Sequence, residues 1–436
     1  MNTFRTCART LLAAIATIGI ISPAQSQQKE IKLGVIYDYT GALAAGGSLA
    51  AGIGTKAAVD MINERGGIEG YRLKAIYADA QSKPEVAINE MTRLLDQEKV
   101  DIVMGVFSSA HCVPMAQQID ARKKFMWANV CVASAVLKDK KLQYVFRAQV
   151  HSDQFGEASC TFIAENAKAK LGKDVKDIKV AIIYEDGPYG AGVAMGNEAK
   201  CKALGMQQVL KEGYAATSPD LSSLITKLRR AQADVILHTG YNPDITLFWR
   251  QAREQGLKWS ALIGHGAGYG QYDKLREAFG KDADFIYNVD PVAAQLLDAK
   301  TLKAGLGDVT KEMVKRYTAE IKDRKVDEIP PHVSMGFNQS WILFTDVIPR
   351  AIKKYGGINP EALRKAALET DIPVGGTIQG YGVKFFAPGT PMSGQNERSS
   401  PVVMQYIGGD TKIVWPAAIK TADPVLPLPK GHTYAR

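Results

Sequence analysis

The stretch Asp177–Gly192, DIKVAIIYEDGPYGAG, decides how this chain is read. An unbroken apolar run, Val180–Tyr184, ends on an acidic pair and a Gly-Pro turn, with small residues behind it. A continuous apolar run bounded by turn signals fits a strand buried on both faces. The same order occurs earlier. Glu30–Gly46, EIKLGVIYDYTGALAAG, also runs from a buried strand ending in tyrosine and an acid, through a glycine turn, into a helix. One strand–turn–helix opening used twice implies two lobes built alike.

Around these two openings the chain alternates. After the first come a helix with its stripe at Ile53, Ala57, Met61 and Ile62, and the strand-like RLKAIYAD (72–79). A helix opened by Pro84 and two buried strands, VDIVMGV (100–106) and FMWANV (125–130), follow. After the second come ADVILHTGYNPDITLFWRQAREQG (233–256) and WSALIGHGAGYGQYDKLREAF (259–279). Strands alternating with helices imply parallel sheets covered on both faces. The predicted fold class is α/β, with two doubly wound parallel-sheet lobes. Beyond Pro291 the sequence predicts mainly helices (309–323, 334–357, 359–368), then strand-like segments at 380–389, 401–409 and 411–416. Residues 422–436, ADPVLPLPKGHTYAR, are rich in proline, and no structure is assigned to them.

Composition narrows the function. The 436 residues are 46% apolar and 23% charged, the profile of a globular protein. Residues 1–26 read as a signal peptide: Arg5 and Arg9, a short apolar run, then Ala24 and Ser26 before the cut. No later run reaches the ~20 apolar residues of a membrane span. The net charge of +9 is scattered rather than striped, which argues against nucleic acid. Of the five cysteines, Cys7 falls in the leader; Cys112, Cys131, Cys160 and Cys201 remain and allow three pairings. With no Cys-x-x-Cys and no histidine cluster, no metal site is expected. No cofactor and no enzyme activity are expected: the first strand is not followed by G-x-G-x-x-G, and neither a nucleophile elbow nor a phosphate loop occurs.

In open sheets of this kind ligands sit beyond the carboxyl ends of the strands. There the chain places GVFSSAH (105–111), with a helix close behind. Amides at a helix start favour an anion, and serine hydroxyls add donors; a plain helix cap uses the same residues. Ser108 and Ser109 are therefore candidates for either role.

Taken together, GVIYDYTGALAAGG, AVDMINERGGIEGYRLKAIYAD, VDIVMGVFSSAH, YVFRAQ, VAIIYEDGPYGAG and LRRAQADVILHTGYNPDITLFWRQAREQGLK resemble the branched-chain amino-acid type solute-binding proteins of ABC importers. That resemblance implies the type I periplasmic binding fold, with three hinge crossovers expected near Arg147–Val150, Val289–Pro291 and Gly375–Gly380. It divides the chain into lobe 1 (27–148 with 291–377), lobe 2 (149–290 with 378–420) and a tail (421–436). It implies a monomer in the periplasm that presents a small carboxylate-bearing ligand to an inner-membrane permease. By resemblance Ser109 holds the ligand carboxylate beside Ser108, Ala133 and Ser134 extend that clamp, and Tyr189 and Tyr241 face the cleft. The cysteines depart from some relatives, which carry half of a disulfide where Gln81 and Ser82 stand here. Cys112 and Cys131 lie on consecutive elements and Cys160 and Cys201 on two helices of lobe 2, so either couple can pair, and the pairing stays open.

Three positions depart from the family pattern. His265 stands where amino-acid binders carry a carboxylate for the ligand ammonium, Gly46 replaces an aromatic, and His332 occupies a cleft-edge position that is often aromatic. An imidazole is a poor ammonium partner. The departures point to a carboxylate without an α-ammonium, an aromatic or 2-oxo acid, with His265 as donor to its second oxygen. The alternatives are an amino acid, or a sensory module that presents its ligand to a receptor.

Overall fold

A computed structural model describes residues 29–322 and 329–436. The expected leader, 1–26, lies outside the described residues. Among those described, no helix is long and apolar enough to cross a membrane.

The first opening folds as β1 (Lys29–Tyr37), followed by α1 (Leu49–Glu64), β2 (Tyr71–Asp79), α2 (Pro84–Asp96), β3 (Ile102–Gly105), α3 (Ser109–Ala121), β4 (Phe125–Ala128) and β5 (Val145–Phe146). The five strands form one parallel sheet in the order β2-β1-β3-β4-β5. Side chains alternate across it. Leu33, Val35 and Tyr37 join the core under α1, whereas Ile36 joins Met91, Leu94 and Met115 of α2 and α3. Both faces are thus dry, as the unbroken apolar runs require.

The second opening folds as α4 (Ser152–Leu171), β6 (Lys179–Glu185), α5 (Pro188–Ala203), β7 (Gln207–Tyr214), α6 (Ser222–Ala231), β8 (Val235–Thr239), α7 (Asn242–Glu254), β9 (Ala261–His265), the short α8 (Gly266–Tyr269), α9 (Tyr272–Phe279) and β10 (Tyr287–Asp290). After it come α10 (Leu306–Glu320), α11 (Pro331–Ile342), α12 (Ile348–Tyr355) and α13 (Pro360–Leu368). The β11 (Asp371–Ile372) and β12 (Val383–Lys384) strands pair only with each other; β13 (Val402–Ile407) and β14 (Asp410–Trp415) close the second sheet. Its order is β14-β13-β10-β9-β8-β6-β7, parallel from β6 to β10 and antiparallel at β13 and β14. The segment 380–389, read as strand-like, contributes only the two residues of β12.

The chain crosses between lobes after β5 and returns after β10, where the Ala294 amide donates to Ser334 Oγ (2.9 Å). The last passage comes later than Gly375–Gly380. Phe385 still packs on Trp127 and Phe146 of the first lobe (centroids 5.7 and 5.2 Å), and Asn396 Nδ2 donates to Ala148 O (2.8 Å). The chain enters the second sheet only at Val402. Residues 378–396 therefore pack with the first lobe, because their aromatic and amide side chains find partners there.

Two close helix contacts set the first lobe. A Cβ on Gly54 of α1 would lie 2.2 Å from Val333 O, and one on Gly336 of α11 would lie 2.0 Å from Ala51 O. Only glycine lets α1 and α11 approach so closely, and α11 carries His332. Two disulfides are formed, Cys112–Cys131 between α3 and the loop after β4, and Cys160–Cys201 between α4 and α5. The proline-rich tail is docked rather than loose. Tyr434 stacks on Trp259 (4.5 Å), meets Trp249 edge-on (4.7 Å) and donates to Trp249 O (3.0 Å).

Candidate functional site

At the carboxyl end of β3 the backbone turns sharply. Gly105 has φ 100° and Val106 has φ 66°, a conformation a β-branched residue rarely adopts. Strain of this kind persists where surroundings over-determine it, often at binding sites. The turn delivers Phe107, Ser108 and Ser109 in succession.

Ser108 is the N-cap of α3: its hydroxyl accepts from the Ala110 amide (3.2 Å). Ser109 is the first helical residue, where the amide has no intrahelical acceptor. Its hydroxyl accepts from the Ala133 amide (3.1 Å), which leaves the hydroxyl proton for something else. Ser109 lines a cavity between the lobes together with Phe107, Phe155, Tyr189, Tyr241, Asp290 and His332. The centre of a water-sized sphere has only about 20 Å³ to move in there, room for about one water, so a small organic ligand needs the lobes to part. Ser108 instead faces a wider groove at the cleft mouth, with His111, Glu185 and Asp244. Tyr241 borders both spaces.

Both lobes furnish the cavity. Tyr189, at the start of α5, donates its hydroxyl to His265 O (2.7 Å). Its ring lies 5.4 Å from that of Tyr241, which reaches across to Phe107 (6.3 Å). His332 meets Phe107 edge-on (5.5 Å) and accepts at Nδ1 from the Gln271 amide of the other lobe (3.1 Å). Burial lowers the His332 pKa to about 4, so its ring is neutral at pH 7. No lysine or arginine is among the described residues lining the cavity. An anion there would be held by hydroxyl and amide donors rather than by a cation.

Ser109, Tyr189, Tyr241 and His332 thus converge; the remaining candidates do not. Ala133 is buried, giving its amide to Ser109 and its carbonyl to Arg147 (2.9 Å). Ser134 bonds outward to Asp153 (2.7 Å) and Ser152 (2.9 Å) at the start of α4. The cavity wall here is Val130 and Val132. In an extended segment neighbours face opposite ways, so Cys131 and Ala133 turn to the opposite core.

His265 is the larger correction. Its ring lies between Ser159 Oγ (2.8 Å at Nε2) and Thr239 Oγ1 (2.9 Å at Nδ1), with His238 O 3.0 Å from Nδ1. Both nitrogens are engaged inside the second lobe, burial lowers its pKa to about 4, and the ring does not line the cavity. The β9 strand turns this side chain toward α4, leaving the backbone of Gly266 and Ala267 at the cavity. Gly46 is not among the residues that line the cavity, and a Cβ there would make only an ordinary contact, 3.8 Å from Asn242 Cβ.

The sequence reading missed Asp290. It ends β10, is 1% exposed, and lines the cavity. Burial raises its pKa well above the ordinary carboxylate value. The signal was present in NVDPV, an acid at the carboxyl end of a buried strand. Among the described residues, no group of three or more His, Cys, Asp or Glu side chains could hold a metal ion.

Comparison with known proteins gives the following. The family model described as periplasmic binding protein matches residues 30–395. The chain is 33% identical over 417 residues to the Leu/Ile/Val-binding protein homolog 7 of Brucella suis biovar 1, covering 95% of this chain and 99% of that one. Among solved structures, the leucine-binding protein LivK of Thermotoga maritima superposes with a TM-score of 0.71 at 20% identity, covering 88% of this chain and 97% of that one. An ABC-transporter solute-binding protein from R. palustris in complex with 4-hydroxybenzoate superposes with a TM-score of 0.68 at 16% identity, covering 88% and 95%.

Proposed function

The chain belongs to the periplasmic binding protein family, and from that premise we propose that it is the solute-binding component of an ABC importer, capturing a small organic carboxylate between its lobes. The favoured ligand is an aromatic acid. The observation that carries this reading is Ser109: a buried hydroxyl at a helix start that lines the cavity and already accepts from Ala133, so that its proton is free for a ligand. Phe107, Phe155, Tyr189 and Tyr241 supply broad apolar walls suited to a flat ring. A 2-oxo acid is less favoured than the sequence suggested, because His265, its expected donor, is occupied elsewhere.

Export to the periplasm and delivery to an inner-membrane permease follow from the same reading. A second reading, an amino acid as ligand, is favoured by one observation, the Asp290 carboxyl in the cavity. The fold neighbours include both a leucine-binding protein and a 4-hydroxybenzoate complex. Thermal shift followed by calorimetry against aromatic acids, 2-oxo acids and branched-chain amino acids tests the proposal. The expected result is saturable binding of at least one carboxylate at a single site. Failure of every carboxylate, with binding of a neutral or cationic solute, would refute it.

A further inference from the structure

Asp290 poses a problem for any carboxylate ligand. Its Oδ1 is buried without a hydrogen-bond partner, and its Oδ2 has only a long contact from Asn288 Nδ2 (3.4 Å). Asn288 Oδ1, on the same strand, is also buried and unpartnered. Buried polar groups are nearly always paired, so two neighbouring orphan acceptors call for a donor. The position is defined by its neighbours. A Cβ on Gly266 would lie 3.0 Å from the Tyr189 hydroxyl and 3.5 Å from Asp290 Oδ1, and one on Gly270 would lie 3.2 Å from Oδ2. Glycine at 266 and 270 keeps the approach to the carboxyl open.

Among the described residues, no side chain is bonded to the two orphan acceptors; the cavity's own donors, the Ser109 hydroxyl and the Nε2 proton of neutral His332, are not paired with them. No basic side chain is among the described residues lining the cavity, and the Tyr189 hydroxyl proton is committed to His265 O. Two carboxylates cannot share so small a space uncompensated, because like charges disfavour joint ionisation. A bound anion therefore requires either a positive group of its own or a protonated Asp290, whose hydroxyl donates while its other oxygen accepts from a neutral donor.

We propose that Asp290 is a specificity-determining residue that selects ligands bearing a hydrogen-bond donor, hydroxyl or ammonium, in addition to their carboxylate. This rests on the reading of the interlobe cavity as the ligand site, and it goes further by fixing a second recognition point. It also replaces the role the sequence assigned to His265: the acid comes from β10 rather than β9.

The test uses matched ligands on the full mature chain. One pair is benzoate and 4-hydroxybenzoate; the other is 4-methylpentanoate and leucine, which differ only by the amino group. The expected result is that the donor-bearing member of at least one pair binds tenfold or more tightly. Which pair responds separates hydroxyl from ammonium. In Asp290→Leu that preference should vanish while the plain acid of that pair binds as well as before or better. Asp290→Asn should retain a preference for hydroxyl and lose one for ammonium. Equal affinity within both pairs for the unmodified protein would overturn the proposal, and that comparison stands even if a variant fails to fold. Tighter binding of 4-methyl-2-oxopentanoate than of leucine and 4-hydroxybenzoate would overturn it too, since an oxo group is only an acceptor. If all these acids fail to bind, the carboxylate reading itself falls, and this inference with it.

Discussion

Replacing Ser109 by alanine should separate binding from stability in a way few substitutions can. The hydroxyl accepts from the buried Ala133 amide at 3.1 Å, and its residue lines the cavity, which leaves the proton for a ligand. A hydrogen bond to a charged group contributes roughly 1.5–3 kcal/mol. At ~1.4 kcal/mol per decade, Ser109→Ala should weaken carboxylate binding by about 10- to 150-fold. The orphaned Ala133 amide adds a cost of about 1–3 kcal/mol. Because that cost is present with and without ligand, it lowers the melting temperature and largely cancels from Kd. Calorimetry with benzoate or 4-hydroxybenzoate reads the affinity, and benzamide serves as the uncharged control, losing less. Ser108→Ala is the companion variant: it removes a cap worth about 1 kcal/mol but no group facing the cavity. Unchanged Kd in Ser109→Ala, or an equal loss in Ser108→Ala, would refute the reasoning and reduce Ser109 to a structural residue.

Three further predictions follow from the buried geometry. The His265 pKa is depressed from about 6.5 to about 4 by burial, so the folded ring stays neutral while the unfolded chain takes up a proton. Its contribution is complete above about pH 6.5 and is lost as pH falls toward 4, so the stability of the unmodified protein relative to His265→Gln should drop by on the order of 3 kcal/mol across that window. Parallel denaturant titrations test this, and a pH-independent difference would contradict it. Gly336→Ala should destabilise by about 1–3 kcal/mol, because the new methyl meets Ala51 O and α1 must move from α11; an unchanged melting temperature would show that the helices yield freely. Tyr434→Ala should cost about 3–5 kcal/mol by emptying the space between Trp249 and Trp259, read by chemical denaturation; a loss under 1 kcal/mol would mean the tail docks without stabilising.

The architecture was legible because a doubly covered parallel sheet leaves continuous apolar runs, and the openings at Glu30 and Asp177 show them clearly. The serine pair between a buried strand and a helix start marked a place rather than a role: the sequence left both residues open to capping or binding, and only the geometry separates Ser108, the cap, from Ser109, which lines the cavity. Side-chain direction was harder to read. Ala133 and His265 sit at positions the resemblance marks, but strand parity turns one into the opposite core and the other toward Ser159. Asp290 was overlooked because the acid was sought only where relatives carry it, at the end of β9. The tail misled through its prolines: the composition reads as unstructured, yet Tyr434 alone supplies a ring that two tryptophans bury. The late third crossover rests on Phe385 and Asn396, whose partners lie far away in sequence and leave no local pattern.

The central claim is that the space between Ser109 and Asp290 is where the ligand sits. A crystal structure of the protein grown with the tightest-binding aromatic acid of the panel tests it most directly. The account predicts the ring between Phe107, Phe155, Tyr189 and Tyr241, with a carboxylate oxygen about 2.5–2.7 Å from Ser109 Oγ. An empty cavity, with the acid bound instead in the cleft-mouth groove beside Ser108 or against α10, would contradict it.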